Sequence, residues 1–160
     1  MCCQQVHRTE NIRSLIMYQN LQKCMKYANG GGGDVEYESY MYVYHGCAPN
    51  KVEAIVANGL NRSLCKSDGP IGCAVYVSPE IDLAVKHSMK AQAGDCCCVL
   101  VCNILTGKFC VGAPEMVQPP VRDPKTLERY NSTVDRLVHP QKIAVFTDYQ
   151  LLLRYVITLR

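Results

Sequence analysis

The stretch from residue 97 to residue 105 is almost uniformly apolar and is broken only by Asn103. A short continuous apolar run of this kind, closed by Thr106-Gly107, is typical of a strand that is buried on both faces. We therefore expect this segment to lie inside the core of the fold.

The elements around this strand do not alternate regularly between strand and helix. Three signals predict the helices. They are apolar residues at three- and four-residue spacings, a start at Pro49 with a stop at Asn58-Gly59, and a start at Ser78-Pro79. The expected helices span residues 10 to 29, 49 to 58 and 80 to 92, and the other expected strands span residues 35 to 45, 74 to 77, 142 to 147 and 154 to 159. This order predicts an α+β architecture.

Two stretches carry no regular pattern. The glycines at 30 to 33 are not followed by the Gly-Lys-Ser/Thr of a phosphate-binding loop, which favours a flexible connector. Residues 112 to 141 contain several prolines and little periodicity, so we expect one long functional loop. The chain of 160 residues is expected to form a single domain over residues 1 to 160, with an N-terminal helix and connector at 1 to 33 and a core at 34 to 160.

Charge and cysteine content exclude some functions. The net charge of +3 is scattered and forms no basic stripe, so nucleic acid is tolerated but not indicated. Eleven cysteines, several of them adjacent, argue against a disulfide framework, and Cys96, Cys98 and Cys102 lack a second metal-binding arm, so we expect free thiols and no metal. Without a signal peptide or an 18-residue apolar span, we expect a cytoplasmic or nuclear protein that does not enter membranes. We also expect a monomer.

Short motifs follow one another in a fixed order along the chain. They are Tyr44-His45-Gly46-Cys47, Asn58-Gly59-Leu60-Asn61-Arg62-Ser63, Val75-Tyr76-Val77, Leu105-Thr106-Gly107, Tyr130-Asn131-Ser132-Thr133-Val134-Asp135, His139-Pro140, Asp148-Tyr149-Gln150 and Tyr155-Val156-Ile157. Each alone is weak evidence. The ordered series resembles the catalytic domain of the poly(ADP-ribose) polymerase (PARP) family, most closely its mono-ADP-ribosylating, macrodomain-associated branch, over about residues 15 to 160.

The resemblance implies an ADP-ribosyltransferase fold, with split antiparallel sheets, flanking helices and an NAD cleft between the sheets. The family signature is a His-Tyr-Glu triad, whose His and Tyr correspond to His45 and Tyr76. It implies that His45 bonds a ribose hydroxyl, that the backbone of Gly46 pairs with the nicotinamide carboxamide, and that the ring of Tyr76 stacks on nicotinamide. Cys47 would line the same NAD site.

Three positions depart from the family pattern. The third triad position falls on Lys142, where polymerising members have Glu. The nicotinamide-binding Ser corresponds to Ala84, and the second stacking Tyr to Met89, with His87 nearby as a substitute. A lysine beside a developing oxocarbenium ion must point away, pair with an acid such as Glu115 or Asp135, or mark lost catalysis.

The resemblance therefore implies an NAD-dependent mono-ADP-ribosyltransferase that modifies a protein, itself or nucleic-acid ends, in antiviral or stress responses. A second interpretation, from Lys142, Ala84 and Met89, is a pseudoenzyme that binds NAD or ADP-ribose, or a partner, without turnover. A related 2′-phosphotransferase activity on RNA is disfavoured because the motifs lack its arginine-lined phosphate site. Taken alone, His45 and Tyr76 would be ordinary strand residues and His87 a surface or capping residue.

Overall fold

The elements of the fold are those of a computed structural model that describes residues 2–28, 42–64, 69–90 and 96–160. In chain order they are β1 (Cys3–Arg8), α1 (Ile12–Ala28), β2 (Val43–Cys47), a 3₁₀ turn (Pro49–Lys51) leading into α2 (Val52–Asn58), a second 3₁₀ turn (Arg62–Leu64), β3 (Val75–Val77), α3 (Ile81–Lys90), β4 (Cys97–Ile104), β5 (Phe109–Val111), β6 (Val121–Asp123), β7 (Glu128–Arg129), β8 (Ser132–Val134), β9 (Ile143–Val145) and β10 (Leu151–Leu159).

Two four-stranded sheets form the body of the molecule. The first has the order β1-β10-β4-β2 and is antiparallel throughout. The second has the order β3-β9-β8-β5, and its β5 runs parallel to β8. The expected α+β architecture with split sheets is confirmed, except that one strand pair of the second sheet is parallel.

Strand β4 lies between β10 and β2 and is buried along its length except at Asn103, as its apolar run predicts. Its side chains meet those of the second sheet in one apolar cluster. Leu100 and Ile104 of β4 and Ile143 of β9 are fully buried in that cluster. The core therefore lies between the two sheets and holds them together.

Helix α1 is joined to the end of α2 by one side chain. The Asn11 Oδ1 atom accepts a hydrogen bond from the Ser14 backbone N–H, and its Nδ2 atom donates to the carbonyls of Val56 and Ala57. Asn11 thus satisfies a free donor at the start of α1 and free acceptors at the end of α2. The helix expected over residues 10 to 29 is confirmed over Ile12–Ala28, and residue 29 lies outside the described residues.

The boundaries of α2 and α3 follow the sequence signals. Gly59, at φ 80°, ends α2, and the Ser78 hydroxyl accepts a hydrogen bond from the Glu80 backbone N–H ahead of α3. Both boundaries fall where predicted. Residues 91 and 92 of the expected third helix lie outside the described residues, as do residues 35 to 41 of the expected strand and the glycines at 30 to 33.

The expectation of one long loop over residues 112 to 141 is wrong. This stretch contains β6, β7 and β8, and β8 is buried in the interior of the second sheet, between β9 and β5. Strands β1 and β5 were also not predicted. These strands form because a partner strand pairs with them, and local alternation does not reveal them. Strand β1, for example, is exposed along its whole length and is held by its hydrogen bonds to β10.

Across the described ranges, no helix is both long and apolar enough to cross a bilayer.

Candidate active site

The two sheets are joined by a backbone bridge between Tyr44 of β2 and Ser78, the residue that follows β3. Tyr44 and Ser78 exchange two hydrogen bonds, of 2.8 and 2.9 Å. Backbone groups of a strand point alternately to its two sides, so Gly46, two residues after Tyr44, presents its N–H and C=O to the same edge. The backbone of Gly46 therefore faces β3 and not β4.

Next to this bridge, the His45 imidazole reaches across to β3. Its Nδ1 atom lies 2.7 Å from the Tyr76 carbonyl oxygen. Burial lowers the pKa of His45; the bond to Tyr76 opposes this, and nearby His87 and Lys51 lower the pKa further. A neutral ring that donates from Nδ1 to a carbonyl keeps an unprotonated Nε2, which can accept a hydrogen bond.

The ring of Tyr76 is half-buried on the opposite face of β3 from the core residues Val75 and Val77. It packs with Ala144 and Phe146. Its hydroxyl donates to the Gly72 carbonyl at 2.7 Å and accepts from the Ile71 N–H at 2.9 Å. The phenol is thus held at both its ring and its hydroxyl, which fixes the plane of the aromatic surface.

The loop before β3 is anchored by Arg62, which sequence reasoning did not assign to the site. Its Nε donates to the Cys73 carbonyl at 3.1 Å, a terminal nitrogen donates to the Val117 carbonyl, and the guanidinium lies 5.7 Å from the centre of the Phe146 ring. The Arg62 backbone N–H donates to the Asp148 carboxylate. The position follows the Asn58-Gly59-Leu60 motif, which was the available signal.

Helix α3 packs directly on Gly46. A Cβ added to Gly46 would lie 1.9 Å from the Ala84 carbonyl oxygen and 2.8 Å from the Ser88 nitrogen. The Ser88 hydroxyl then donates to the Cys47 carbonyl at 2.7 Å and accepts from the Cys98 N–H at 3.1 Å. Sequence reasoning missed Ser88, whose hydroxyl bonds to the backbones of both β2 and β4 and so joins α3 to the first sheet.

Two further residues predicted to line the site sit on α3. Ala84 is buried, and His87 is exposed with its Nδ1 atom 3.4 Å from the Gly46 carbonyl oxygen. Met89 is 50% exposed. Helix α3 therefore brings Ala84 and His87 to Gly46, and neither offers a hydroxyl group there.

Cys47 is buried at the end of β2. Burial raises its pKa to about 12, Cys98 adds to that rise and Lys51 opposes it, so the group is a neutral thiol at physiological pH. Within the part of the chain that the structure describes, no three His, Cys, Asp or Glu side chains are grouped as metal ligands.

Lys142 immediately precedes β9. Val77 pairs with Ile143, so continuing the register places Ser78 opposite Lys142. Because side chains alternate along a strand, Lys142 lies on the same face of the sheet as Ala144 and Tyr76. The Lys142 backbone N–H donates to the Asp135 carboxylate at 3.0 Å.

The side chain of Lys142 is exposed. Among the ion pairs of the described residues, none joins Lys142 to Asp135 or Glu115. The expected pairing of Lys142 with an acid is therefore not made with either Asp135 or Glu115.

A separate cavity of about 230 Å³ opens between α1, α2 and the turn before β10. Asn11, Arg13, Asn61 and Asp148 are among its lining residues, and His45 and Tyr76 are not. It is distinct from the edge at which β2, β3 and α3 meet.

Comparison with known proteins gives related sequences, although no family model matches. The chain is 34% identical over 118 residues, 72% of its length, to protein mono-ADP-ribosyltransferase PARP10 of Mus musculus. It is 25% identical over 158 residues (97%) to protein mono-ADP-ribosyltransferase PARP14 of Homo sapiens, and 25% over 156 residues (96%) to PARP9 of Mus musculus, also named a protein mono-ADP-ribosyltransferase. The matches span only 12%, 9% and 17% of those relatives' own lengths.

Proposed function

The chain belongs to the PARP catalytic-domain family, and we propose from this premise that it transfers single ADP-ribosyl groups from NAD to a protein side chain, its own included. Its described elements have the α+β organisation of the ADP-ribosyltransferase fold. The observation that carries the proposal is the contact between the His45 imidazole and the Tyr76 carbonyl, beside the backbone of Gly46 that faces β3.

These three residues match the two ends of a nicotinamide riboside. A carboxamide has one donor side and one acceptor side, and so do the C=O and N–H of Gly46. The ring of Tyr76, fixed by Gly72 and Ile71, offers a flat surface for stacking. The Nε2 lone pair of neutral His45 accepts a hydrogen bond from a ribose hydroxyl.

Transfer breaks the bond between the ribose and the nicotinamide nitrogen, and positive charge develops on the ribose, as in glycoside hydrolysis. The contribution of His45, Gly46 and Tyr76 is to orient the substrate and exclude alternative geometries. Lys142 supplies no carboxylate to activate a bound ADP-ribose as the next acceptor, which is why we propose single transfers and not chain growth.

The second candidate is a module that binds NAD or ADP-ribose without turnover. Three observations favour it: Ala84 at the position of a nicotinamide-binding hydroxyl, the exposed Met89, and Lys142 at the third triad position. Losing one buried hydroxyl contact costs about 1 to 3 kcal/mol, which corresponds to roughly tenfold or more in affinity.

The setting of the reaction is part of the proposal. We place the activity in a single domain over residues 1 to 160 that acts as a monomer in the cytoplasm or nucleus. The proposal of a protein acceptor is supported by the relatives, which are named protein mono-ADP-ribosyltransferases. The antiviral or stress role rests on the family resemblance.

The test is to measure NAD binding and nicotinamide release for the purified chain and three variants. Tyr76→Phe keeps the ring and should bind NAD within about threefold of the parent, whereas Tyr76→Ala should lose about tenfold or more. Tyr27→Ala, at a tyrosine that is 80% exposed on α1, is the control and should change nothing.

Binding with nicotinamide release supports the transferase. Binding without release supports the second candidate. Equal NAD affinity in Tyr76→Ala and the parent chain would refute the assignment of the site.

A further inference from the structure

We propose that Glu80 supplies the carboxylate that Lys142 does not, and that it acts on the ribose and on the acceptor during transfer. This inference rests on the proposed function. Its observation is a hydrogen bond of 3.1 Å from the Gln141 Nε2 atom to the Glu80 Oε1 atom, next to Lys142. The acid thus lies beside the third triad position although it comes from a different element.

The topology explains how Glu80 arrives there. Ser78 bridges to Tyr44 of β2 and stands in register with Lys142, and Glu80 follows Ser78 by two residues. The Ser78 hydroxyl fixes the Glu80 backbone N–H at 2.9 Å. Gln141 is held in turn, because its own backbone N–H donates to the Asp135 carboxylate at 3.0 Å. Both ends of the contact are therefore anchored to the point where the two sheets join.

The position of Glu80 in the chain gives a second argument. Glu80 immediately precedes α3, which begins at Ile81. Further along this helix, the Ala84 carbonyl and the His87 ring lie against Gly46. Glu80 is thus an acid at the N-terminal end of the helix that borders the proposed nicotinamide position.

Charge also favours this arrangement. The exposed Lys142 ammonium lies on the Tyr76 face, where a cation would oppose a developing oxocarbenium ion. The Glu80 carboxylate, which is bonded to the neighbouring residue Gln141, brings a negative charge to the same end of β9. Glu80 is exposed in the free protein, so its side chain can turn from Gln141 to a substrate hydroxyl without first breaking a buried ion pair.

The reaction balances as follows. The Glu80 carboxylate accepts a hydrogen bond from a hydroxyl of the nicotinamide-bearing ribose while the carbon–nitrogen bond breaks. Nicotinamide leaves as a neutral molecule with the bonding electron pair. The acceptor then bonds to the same ribose carbon, its proton passes to the Glu80 carboxylate, and that proton is released to water. The sum is NAD plus acceptor giving ADP-ribosylated acceptor, nicotinamide and one proton.

The test compares Glu80→Gln with the matched control Asp82→Asn in the full chain, by nicotinamide release and by NAD affinity. Glutamine keeps an oxygen for Gln141, so the fold and the dissociation constant for NAD should change less than about threefold. Turnover of Glu80→Gln should fall by about 10²-fold or more, which is the usual contribution of a positioned acid or base. Asp82, an exposed acid two residues further on in the first turn of α3, should tolerate the change.

A second variant distinguishes a chemical role from a structural one. Adding Lys142→Glu to Glu80→Gln returns a carboxylate to the third triad position, and it should restore turnover at least tenfold. Wild-type turnover in Glu80→Gln, or turnover that is not restored in the double variant, overturns the role of Glu80 but does not contradict the proposed function. A parent chain that binds NAD but releases no nicotinamide also overturns it, and a parent chain that does not bind NAD refutes the proposed function itself.

Discussion

Replacing Gly46 by alanine should damage the fold before it affects any ligand. The new Cβ would lie 1.9 Å from the Ala84 carbonyl oxygen and 2.9 Å from the Ala84 carbonyl carbon, both of which are backbone atoms that cannot rotate away. Ordinary contacts begin near 3.4 Å. Helix α3 must therefore move off β2 by about 1 Å or more, since no flexible side chain can absorb the overlap.

The cost of that movement can be worked from the contacts it breaks. Overpacking a close-packed contact costs about 1 to 3 kcal/mol. The same shift pulls the Ser88 hydroxyl away from the Cys47 carbonyl and the Cys98 N–H, and a buried polar group left without a partner costs about 1 to 3 kcal/mol. Together these two contributions should lower the free energy of unfolding of Gly46→Ala by about 2 to 6 kcal/mol.

Urea unfolding followed by circular dichroism measures this loss, since the chain has no tryptophan. Gly59→Ala is the comparison: its φ of 80° also disfavours alanine, but the nearest atom to its new Cβ, the Ser14 hydroxyl, is 3.8 Å away. Only Gly46→Ala should speed hydrogen exchange at the Cys98 amide. A loss under about 1 kcal/mol in Gly46→Ala, or an unchanged Cys98 amide, would refute the reasoning.

Two further predictions concern buried polar groups. Gln150 is 1% exposed, its Oε1 accepts from two backbone N–H groups, and its Nε2 donates to two backbone carbonyls. Gln150→Leu should therefore lower the free energy of unfolding, measured with urea, by about 4 kcal/mol, and a loss under about 1 kcal/mol would contradict this. The pKa of His45 is lowered in the folded state, so the unfolded chain binds the extra proton and the free energy of unfolding should fall as pH drops from about 7 through 6.5 towards the lowered pKa. Unfolding curves across that range should show this fall, and they should show less of it in His45→Gln; an equal slope in both proteins would exclude His45 as its source.

Prediction from the sequence succeeded where a residue pattern and its environment coincide. The apolar run of β4 and the helix signals Ser78 and Gly59 act within one or two turns of chain, and the structure has the expected elements at those places. It failed at β1 and β8. The β8 segment, Ser132–Val134, is too short to show a period, and it is a strand because β9 and β5 supply its hydrogen bonds.

The candidate site divides in the same way. The motif order pointed to His45, Gly46, Tyr76 and Lys142, and the structure places all four around the edge where β2 and β3 meet. Their roles towards NAD stay predictions. Ser88, with no motif of its own, belongs to the site only because α3 crosses β2 at Gly46.

Residue types and their order along the chain were enough to indicate the family, the fold class and the identity of the proposed NAD-contacting residues, because these follow from local propensity and short motifs. The partners of each group were decided only when the sheets packed. The His45 bond to a strand 31 residues away, the close approach of α3 to Gly46, and the contact of Glu80 with Gln141 all join segments that are distant in sequence. Contacts of that kind depend on the three-dimensional arrangement of whole elements, which no local pattern specifies.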